Sequence, residues 1–313
     1  MGTPLTLVTH DHCLDGATCG VLGLAAGMLP AFVYPDGAQA FLSNLPLDRP
    51  VVLADVSFPP EVYPREAERL VALIDHHQSA LPLADRPRVH IDQRHCASTL
   101  LYEWLTATGR LATDDARWRP LLDPVDDYDL WRPEHKAGQA LSRLYMARGW
   151  AWFRDKFRDG WSPLTEGELQ QLQQLESEEA AFVDHYSGRA ELFDAASHRL
   201  AVVWLEEEGA VNELSHRLLT QHALAGVIAI KPDGRLSCRT SPVLDAARLM
   251  EAGFQGGGHP RAAGGRLPAG IQPADGAAWV KERTAEALAP GTADFMRAAP
   301  PPGGREGVPH PSR

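Results

Sequence analysis

The apolar positions of the chain fall into short runs set between longer amphipathic stretches. In the first third, LTLVTH, AFVYP, RPVVLADVSF, the second half of ERLVALIDHH, and RVHID each read as a strand. DGATCGVLGLAAG between the first two reads as a helix with small residues along one face. CASTLLYEWLTATG reads as another, with Ser98 or Thr99 placed to cap its start. Strands alternating with helices predict a mostly parallel sheet covered on both faces. From residue 135 to 190 the pattern turns helical, through QALSRLYMARGWAWFRDKF and LTEGELQQLQQLESEEAAFVDHYSG. The second of these is rich in Glu and Gln and reads as a connecting helix. Strand-like runs return in HRLAVVWLE, ALAGVIAIKPDG and RLSCRTS, with Pro232-Asp233-Gly234 as a hairpin turn. A glycine-rich segment, GFQGGGHPRAAGGRLP, and an amphipathic helix, AAWVKERTAEALA, complete the pattern. The reading is an α/β protein with a mostly parallel N-terminal domain over 1–150, a helical linker over 151–197 and a smaller α/β domain over 198–293. A Pro-, Gly- and Arg-rich tail over 294–313 is disordered by composition.

Composition narrows the possible functions. The 313 residues are enough for two ordinary domains, and 44% hydrophobic residues are enough for real cores. The formal net charge of −11 argues against a protein that coats long nucleic acid. It leaves room for a small anion held by cations and a few local arginines. The four cysteines, Cys13, Cys19, Cys96 and Cys238, are scattered, which disfavours a disulfide framework or a zinc knuckle and suits a reducing cytoplasm. No run is long and apolar enough to span a bilayer, and the N-terminal MGTPLTLVTHDHCLDG has no secretory character. A glycine after the initiator Met, with Thr6, fits a myristoylation pattern, but Leu5, Leu7 and Val8 read better as a buried first strand.

Three of the apolar strands end in carboxylates or imidazoles. LTLVT runs into His10-Asp11-His12, VVLA into Asp55, and LVALI into Asp75-His76-His77. Ligands of open parallel sheets bind at the carboxyl ends of strands. Carboxylates gathered there repel one another and are costly to desolvate, and a cation resolves both problems. A mixed Asp and His set suits Mn²⁺, with Mg²⁺, Co²⁺ or Zn²⁺ as alternatives.

Asp75-His76-His77 after an apolar strand resembles the signature of the DHH phosphoesterase family. His10-Asp11-His12-Cys13-Leu14-Asp15-Gly16 resembles its first motif, Leu53-Ala54-Asp55-Val56-Ser57 its second and Asp126-Asp127-Tyr128-Asp129-Leu130-Trp131 its fourth. Gly256-Gly257-Gly258-His259-Pro260, followed by Ala262-Ala263-Gly264, is similar to the glycine motif of the associated DHHA1 domain, and Arg239 matches that domain's arginine. The resemblance covers roughly residues 5–290. It implies a DHH domain and a DHHA1 domain, two divalent cations, and water attacking phosphorus in line. Asp55 would bridge the two ions. Asp15, His76 and Asp127 would complete one site; His10, with Cys13, would serve the other. Asp75 would sit behind and orient His76, and His77 would face the phosphate or the water. Arg239, Gly257, Gly258 and His259 would grip the substrate, with Arg261 and Arg266 either assisting or simply solvated. The implied substrate is a nucleotide or short single-stranded oligonucleotide, with no membrane partner and a homodimer left open. Regulatory nucleotide binding with weakened catalysis is the alternative.

Two positions stay open. The family pattern has Asp where Cys13 stands, and Cys13 reads equally as a soft ligand or a small buried residue. Asp126, Asp127 and Asp129 compete for one role, with Asp127 favoured by its place before Asp129-Leu130-Trp131. Asp11 and His12 read as solvated loop residues, and His90 and His95 belong to no motif. Trp150, Trp152 and Trp161 invite a base-stacking reading, but core packing explains them better.

Overall fold

The computed structural model describes residues 5–34, 37–130, 132, 136–258 and 260–289, and the chain divides into two compact units, Met1–Leu175 and Glu176–Arg313. The first unit opens with β1 (Thr6–Thr9), α1 (Leu14–Ala25), β2 (Leu29–Phe32), α2 (Ala38–Ser43), β3 (Val51–Ala54), α3 (Tyr63–Glu66), β4 (Leu70–Asp75) and β5 (Val89–Ile91). It continues through α4 (Ala97–Ala107), α5 (Asp115–Asp129), α6 (Lys136–Phe157) and the first half of α7 (Glu166–Ser187).

The five strands form one sheet in the order β2-β1-β3-β4-β5, with every neighbouring pair parallel. Alternate residues feed two cores. Leu7, Val52, Ala72 and Ile74 pack with α1 and α4 on one face; Val8, Val51, Leu53 and Leu73 pack with Ala38 and Leu42 on the other. Burial on both faces is why these strands read as continuous apolar runs rather than alternating ones. The small-residue face of α1 lets it lie close to β1, because a Cβ on Gly23 would stand 2.4 Å from a Leu7 methyl. The chain leaves β1 toward β2 and returns on the other side at β3, so the loops at the carboxyl ends of β1 and β3 part and open a crevice there.

The first unit runs past the expected boundary at residue 150. Phe153 and Phe157 are buried in its core, with Trp150, Trp152 and Trp161 packed against it. A left-handed Gly149 (φ 74°) breaks α6 so that its second half can fold back. The tryptophans therefore serve packing, as expected. Trp150 meets Phe32 edge to face at 4.7 Å, and Trp161 stacks on Phe157 at 5.7 Å.

The second unit contains β6 (Glu191–Ala195), β7 (His198–Trp204), α8 (Val211–His222), β8 (Gly226–Ile230), β9 (Arg235–Thr240), α9 (Ala246–Phe254), β10 (Gly257–Gly258), β11 (Ala262–Arg266) and α10 (Gly276–Ala287). Its sheet has the order β10-β11-β9-β8-β7-β6, parallel only between β7 and β8. Each face is covered by its own cluster, Ile228 and Cys238 with α9 and α10 on one, Val227 and Ala229 with α8 on the other. The Pro232-Asp233-Gly234 turn forms as expected, with Gly234 at φ 80°. The expected linker over 151–197 is not a linker throughout: its last residues form β6, paired with β7. The expected disordered tail lies outside the described residues. No helix of the described residues is long and apolar enough to cross a membrane.

Candidate metal centre

The donors of the first unit gather at the carboxyl edge of the parallel sheet. β1 delivers His10, β3 delivers Asp55, and β4 ends in Asp75 and delivers His76 and His77. Cys13 is the N-cap of α1, its Sγ accepting from the Gly16 amide at 3.2 Å, and Asp15 lies in the first turn. Gly16 is required here, since a Cβ would stand 2.1 Å from the His10 carbonyl oxygen and 3.2 Å from Asp55 Oδ2. Asp55 itself adopts φ 61°, a left-handed conformation that Asp tolerates better than most residues but that still carries strain. Its amide donates to the Ile74 carbonyl at 3.1 Å, which fixes this turn against β4.

Asp55 is the hub. Its Oδ2 lies 2.8 Å from His10 Nε2 and 3.2 Å from Cys13 Sγ; its Oδ1 lies 3.3 Å from His76 Nε2. His76 Nε2 also lies 3.4 Å from Asp129 Oδ2 and 3.9 Å from Asp15 Oδ2. Three sets of ligand atoms fall within 4.8 Å of one another: His10, Cys13 and Asp55; Asp15, His76 and Asp129; and Asp55, Asp75, His76 and His77.

Five of the six residues expected as ligands are thus brought together, and the place expected for Asp127 is taken in the cluster by Asp129. Asp129, not Asp127, joins Asp15 and His76. Residues two apart on a helix point about 200° apart, so α5 cannot present both to the cluster. Asp127 instead lies 3.9 Å from Arg132 Nη1. Asp126 is taken up by the backbone, accepting from the Cys96 amide at 2.6 Å, with His95 Nδ1 3.2 Å away. A second correction concerns Asp75. Its Oδ1 accepts from the His76 and His77 amides at 2.7 and 3.1 Å and lies 2.6 Å from His77 Nδ1, so the ring it orients is that of His77 rather than His76. The α4 cap also differs. Neither Ser98 nor Thr99 caps it; Asp15 accepts from the Ala97 and Ser98 amides, both at 2.8 Å. Tyr145 had no sequence signal, yet its hydroxyl donates to the Asp11 carbonyl at 2.6 Å and holds the loop that carries His10 and Cys13.

The electrostatics are those of crowded, buried acids. Burial first, and the neighbouring Asp15 charge next, push the Asp129 carboxyl up to about 7. Asp15 is raised for the same reasons, burial and Asp55. Burial would lower His76, but the hydrogen bond to Asp55 and the charges of Asp129 and Asp15 outweigh it and raise the imidazole to about 10. Burial works against ionised Asp55 too, yet the hydrogen bonds from His10 and His76 hold its carboxyl well below the usual range. Burial, then Asp55, pushes the Cys13 thiol up. The set is one of buried acids held against imidazoles, and a divalent cation would neutralise the same charge. Asp75 Oδ2 is buried and has no hydrogen-bond partner, an acceptor facing unmet demand. The donor set fits divalent cations on both counts.

In the second unit, Arg239 donates from Nη2 to Asn212 Oδ1 at 2.7 Å and from Nη1 to the Cys238 carbonyl at 2.9 Å. Gly257 and Gly258 form β10 against Gly264 and Ala263 of β11. Gly258 has φ 144°, and a Cβ there would stand 2.7 Å from the Ala262 carbonyl oxygen. Close backbone packing alone therefore demands Gly258, whereas a Cβ on Gly257 would meet nothing nearer than the Glu251 side chain at 3.8 Å. His259 lies outside the described residues. Arg261 Nη1 is buried without a hydrogen-bond partner, and burial lowers the pKa of its guanidinium; Arg266 is exposed.

No family model matches the chain, and no curated protein matches it. Solved structures do. The pGpG-specific phosphodiesterase PggH from Vibrio cholerae superposes with a TM-score of 0.58 at 14% identity, covering 90% of this chain and 99% of that one. The exonuclease RecJ bound to manganese gives a TM-score of 0.54 at 16% identity, covering 92% and 91%. An exopolyphosphatase-related protein from Bacteroides fragilis gives 0.54 at 14%, covering 91% and 92%. The chain shares the fold of these structures over about nine-tenths of its length.

Proposed function

We propose that this chain is a divalent-metal-dependent phosphoesterase that hydrolyses phosphate esters or phosphodiesters of nucleotides or short oligonucleotides. The observation that carries the reading is the meeting of two donor sets, His10, Cys13 and Asp55 in one and Asp15, His76 and Asp129 in the other, where His76 Nε2 lies 3.3 Å from the buried, strained Asp55 carboxylate. A pair of divalent cations, when bound, supplies an acidified water and neutralises charge developing on phosphorus. The chain's part is to hold and shield. Asp55 is positioned to bridge. Asp15 is kept in place by the two α4 amides, and His77 is aimed by Asp75 toward the substrate side of the cluster. Cys13 Sγ, 3.2 and 3.5 Å from Asp55 and His10, is better placed as a ligand than as packing. A thiolate there favours Zn²⁺ or Co²⁺ more than a carboxylate would, beside the Mn²⁺ and Mg²⁺ suited to the other donors. Arg239, Gly257, Gly258, His259 and Arg261 of the second unit are proposed as phosphate-binding residues. The names of the structural neighbours, a phosphodiesterase and an exonuclease crystallised with manganese, support the same class.

The test is a substrate panel of dinucleotides, cyclic dinucleotides, longer single strands and pyrophosphate, run with Mn²⁺ and with excess EDTA. Turnover of a nucleotide phosphodiester should appear with Mn²⁺ and vanish with EDTA. Turnover that survives excess EDTA sinks the reading. Binding without turnover under every divalent ion identifies a regulatory nucleotide-binding protein instead.

A further inference from the structure

Two aromatic rings stand in the open beside the donor cluster. His12 lies in the loop after β1, between His10 and Cys13. Tyr34 follows β2, the strand next to β1 in the sheet. Their rings meet edge to face with centroids 5.0 Å apart, and the His12 ring is 6.4 Å from that of His10. Tyr34 is 69% exposed and the His12 side chain 51%. Leaving a ring of that size in water forfeits the gain its burial would bring, so folding does not account for it.

The pair is nevertheless held firmly from below. The Gly37 amide donates to the Tyr34 carbonyl at 2.7 Å, and a Cβ on Gly37 would press to 3.1 Å from that same oxygen. His12 Nδ1 lies 3.1 Å from Asp11 Oδ1, and the His12 amide donates to His10 Nδ1 at 3.3 Å. The Asp11 carbonyl is pinned by the Tyr145 hydroxyl. Anchored backbone under exposed rings is the arrangement that presents an aromatic surface at little entropic cost. Among the described residues, the tryptophans of this unit, Trp104, Trp118, Trp150, Trp152 and Trp161, pack in or against the core.

We propose that Tyr34, with the His12 ring packed beside it, is the surface on which an aromatic base of the substrate stacks, so that the site selects nucleotide phosphodiesters over phosphate esters that carry no ring. The assignment rests on reading the donor cluster as a phosphoesterase centre. Every nucleobase has a stacking face, so the surface accepts bases with little sequence preference. Tyr34 is a substrate contact and takes no part in the bond-breaking step.

The experiment compares pApA with the same dinucleotide backbone carrying no bases, using the full chain with Mn²⁺. Tyr34→Ala should lower kcat/KM for pApA about five- to a hundredfold, the usual strength of a base on an aromatic side chain, chiefly through KM. The abasic ligand should lose less than about twofold, since it has no base to stack. Tyr34→Phe, which keeps the ring, should restore pApA. Equal losses on both ligands, or no loss on either, overturn the platform. If neither ligand is turned over under any divalent ion, calorimetric titration with pApA separates the two claims. Binding weakened by Tyr34→Ala and kept by Tyr34→Phe retains the platform while the phosphoesterase reading falls. Binding that is absent, or indifferent to Tyr34→Ala, ends the platform as well.

Discussion

The two units present chemistry by different means. In the first, the groups that matter are side chains placed just beyond strand ends, and they hold one another: His10 and His76 on Asp55, Asp129 on His76, His77 on Asp75. In the second, the marked residues are a glycine pair of which Gly258 is already explained by β10 lying against β11, and an arginine tied to Asn212. A cluster of buried ionisable side chains has no packing explanation and so points to function. A run of glycines has a packing explanation first and a ligand explanation second. The functional weight of the first unit can be read from its geometry, whereas that of the second must be measured.

The sharpest way to break the comparison is at Asp55. Asp55→Ala removes the carboxylate proposed to bridge the two ions, and it should lower kcat by at least about a thousandfold, the several kcal/mol that metal-borne charge stabilisation contributes. Metal analysis should show both ions lost, with circular dichroism unchanged. A variant that keeps its full metal content refutes the bridging assignment. One step smaller is the choice between neighbours on α5. Asp129→Ala should reduce activity about a hundredfold through loss of one metal, while Asp127→Ala should stay within about threefold, because it touches Arg132 rather than the cluster. The reverse ranking would make Asp127 the ligand.

That pair of variants also marks where the sequence stops being readable. His10, Asp55 and His76 were legible because each follows an apolar run, and a parallel sheet puts every such ending on one edge. Asp126, Asp127 and Asp129 sit on a helix that carries Pro120 and Pro124 and did not read as one. Even with the helix known, only its packing decides which of the three faces the cluster. The α4 cap was misread for a related reason. Ser98 and Thr99 are local candidates, but the group that serves as cap, Asp15, is 82 residues away from Ala97 along the chain. Tyr34 and Tyr145 carried no pattern at all, since a single exposed ring and a single hydroxyl under a carbonyl leave no periodicity. In the second unit α8 went unread between its flanking strands, and β6 was hidden in what looked like a linker.

The second unit can be weighed with Arg239→Ala. If Arg239 grips a non-reacting phosphate, both metals should remain bound while kcat/KM on dinucleotides falls about ten- to a hundredfold, the contribution of a charged hydrogen bond. A simple aryl phosphodiester, which offers little for a remote contact, should suffer much less. Equal losses on large and small substrates would show that Arg239 acts through folding and makes no ligand contact.

The smallest expected effect tests where the first unit ends. Glu168, near the start of α7, accepts from Lys156 Nζ at 2.7 Å, from Trp152 Nε1 at 2.7 Å and from the Thr165 amide at 2.7 Å. Those bonds tie α7 to α6, so residues beyond 150 belong to the first core rather than to a free connector. Burial works against the carboxylate, but the bonds from Lys156, Thr165 and Trp152 prevail and bring its pKa from the ordinary 4.5 down to about 2. A carboxyl whose pKa is depressed by folding stabilises the protein above its unfolded pKa and loses that contribution as pH falls through the folded value. Glu168→Gln should therefore cost about 2 kcal/mol of unfolding free energy at pH 7, in line with a hydrogen-bonded charge. The gap from the wild type should stay constant down to about pH 5, narrow below the ordinary 4.5 and close near pH 2. Urea titrations at a series of pH values measure it. A gap that does not change between pH 7 and pH 3 would mean that the Glu168 charge contributes nothing, and that α7 is held to the first unit by its apolar contacts alone.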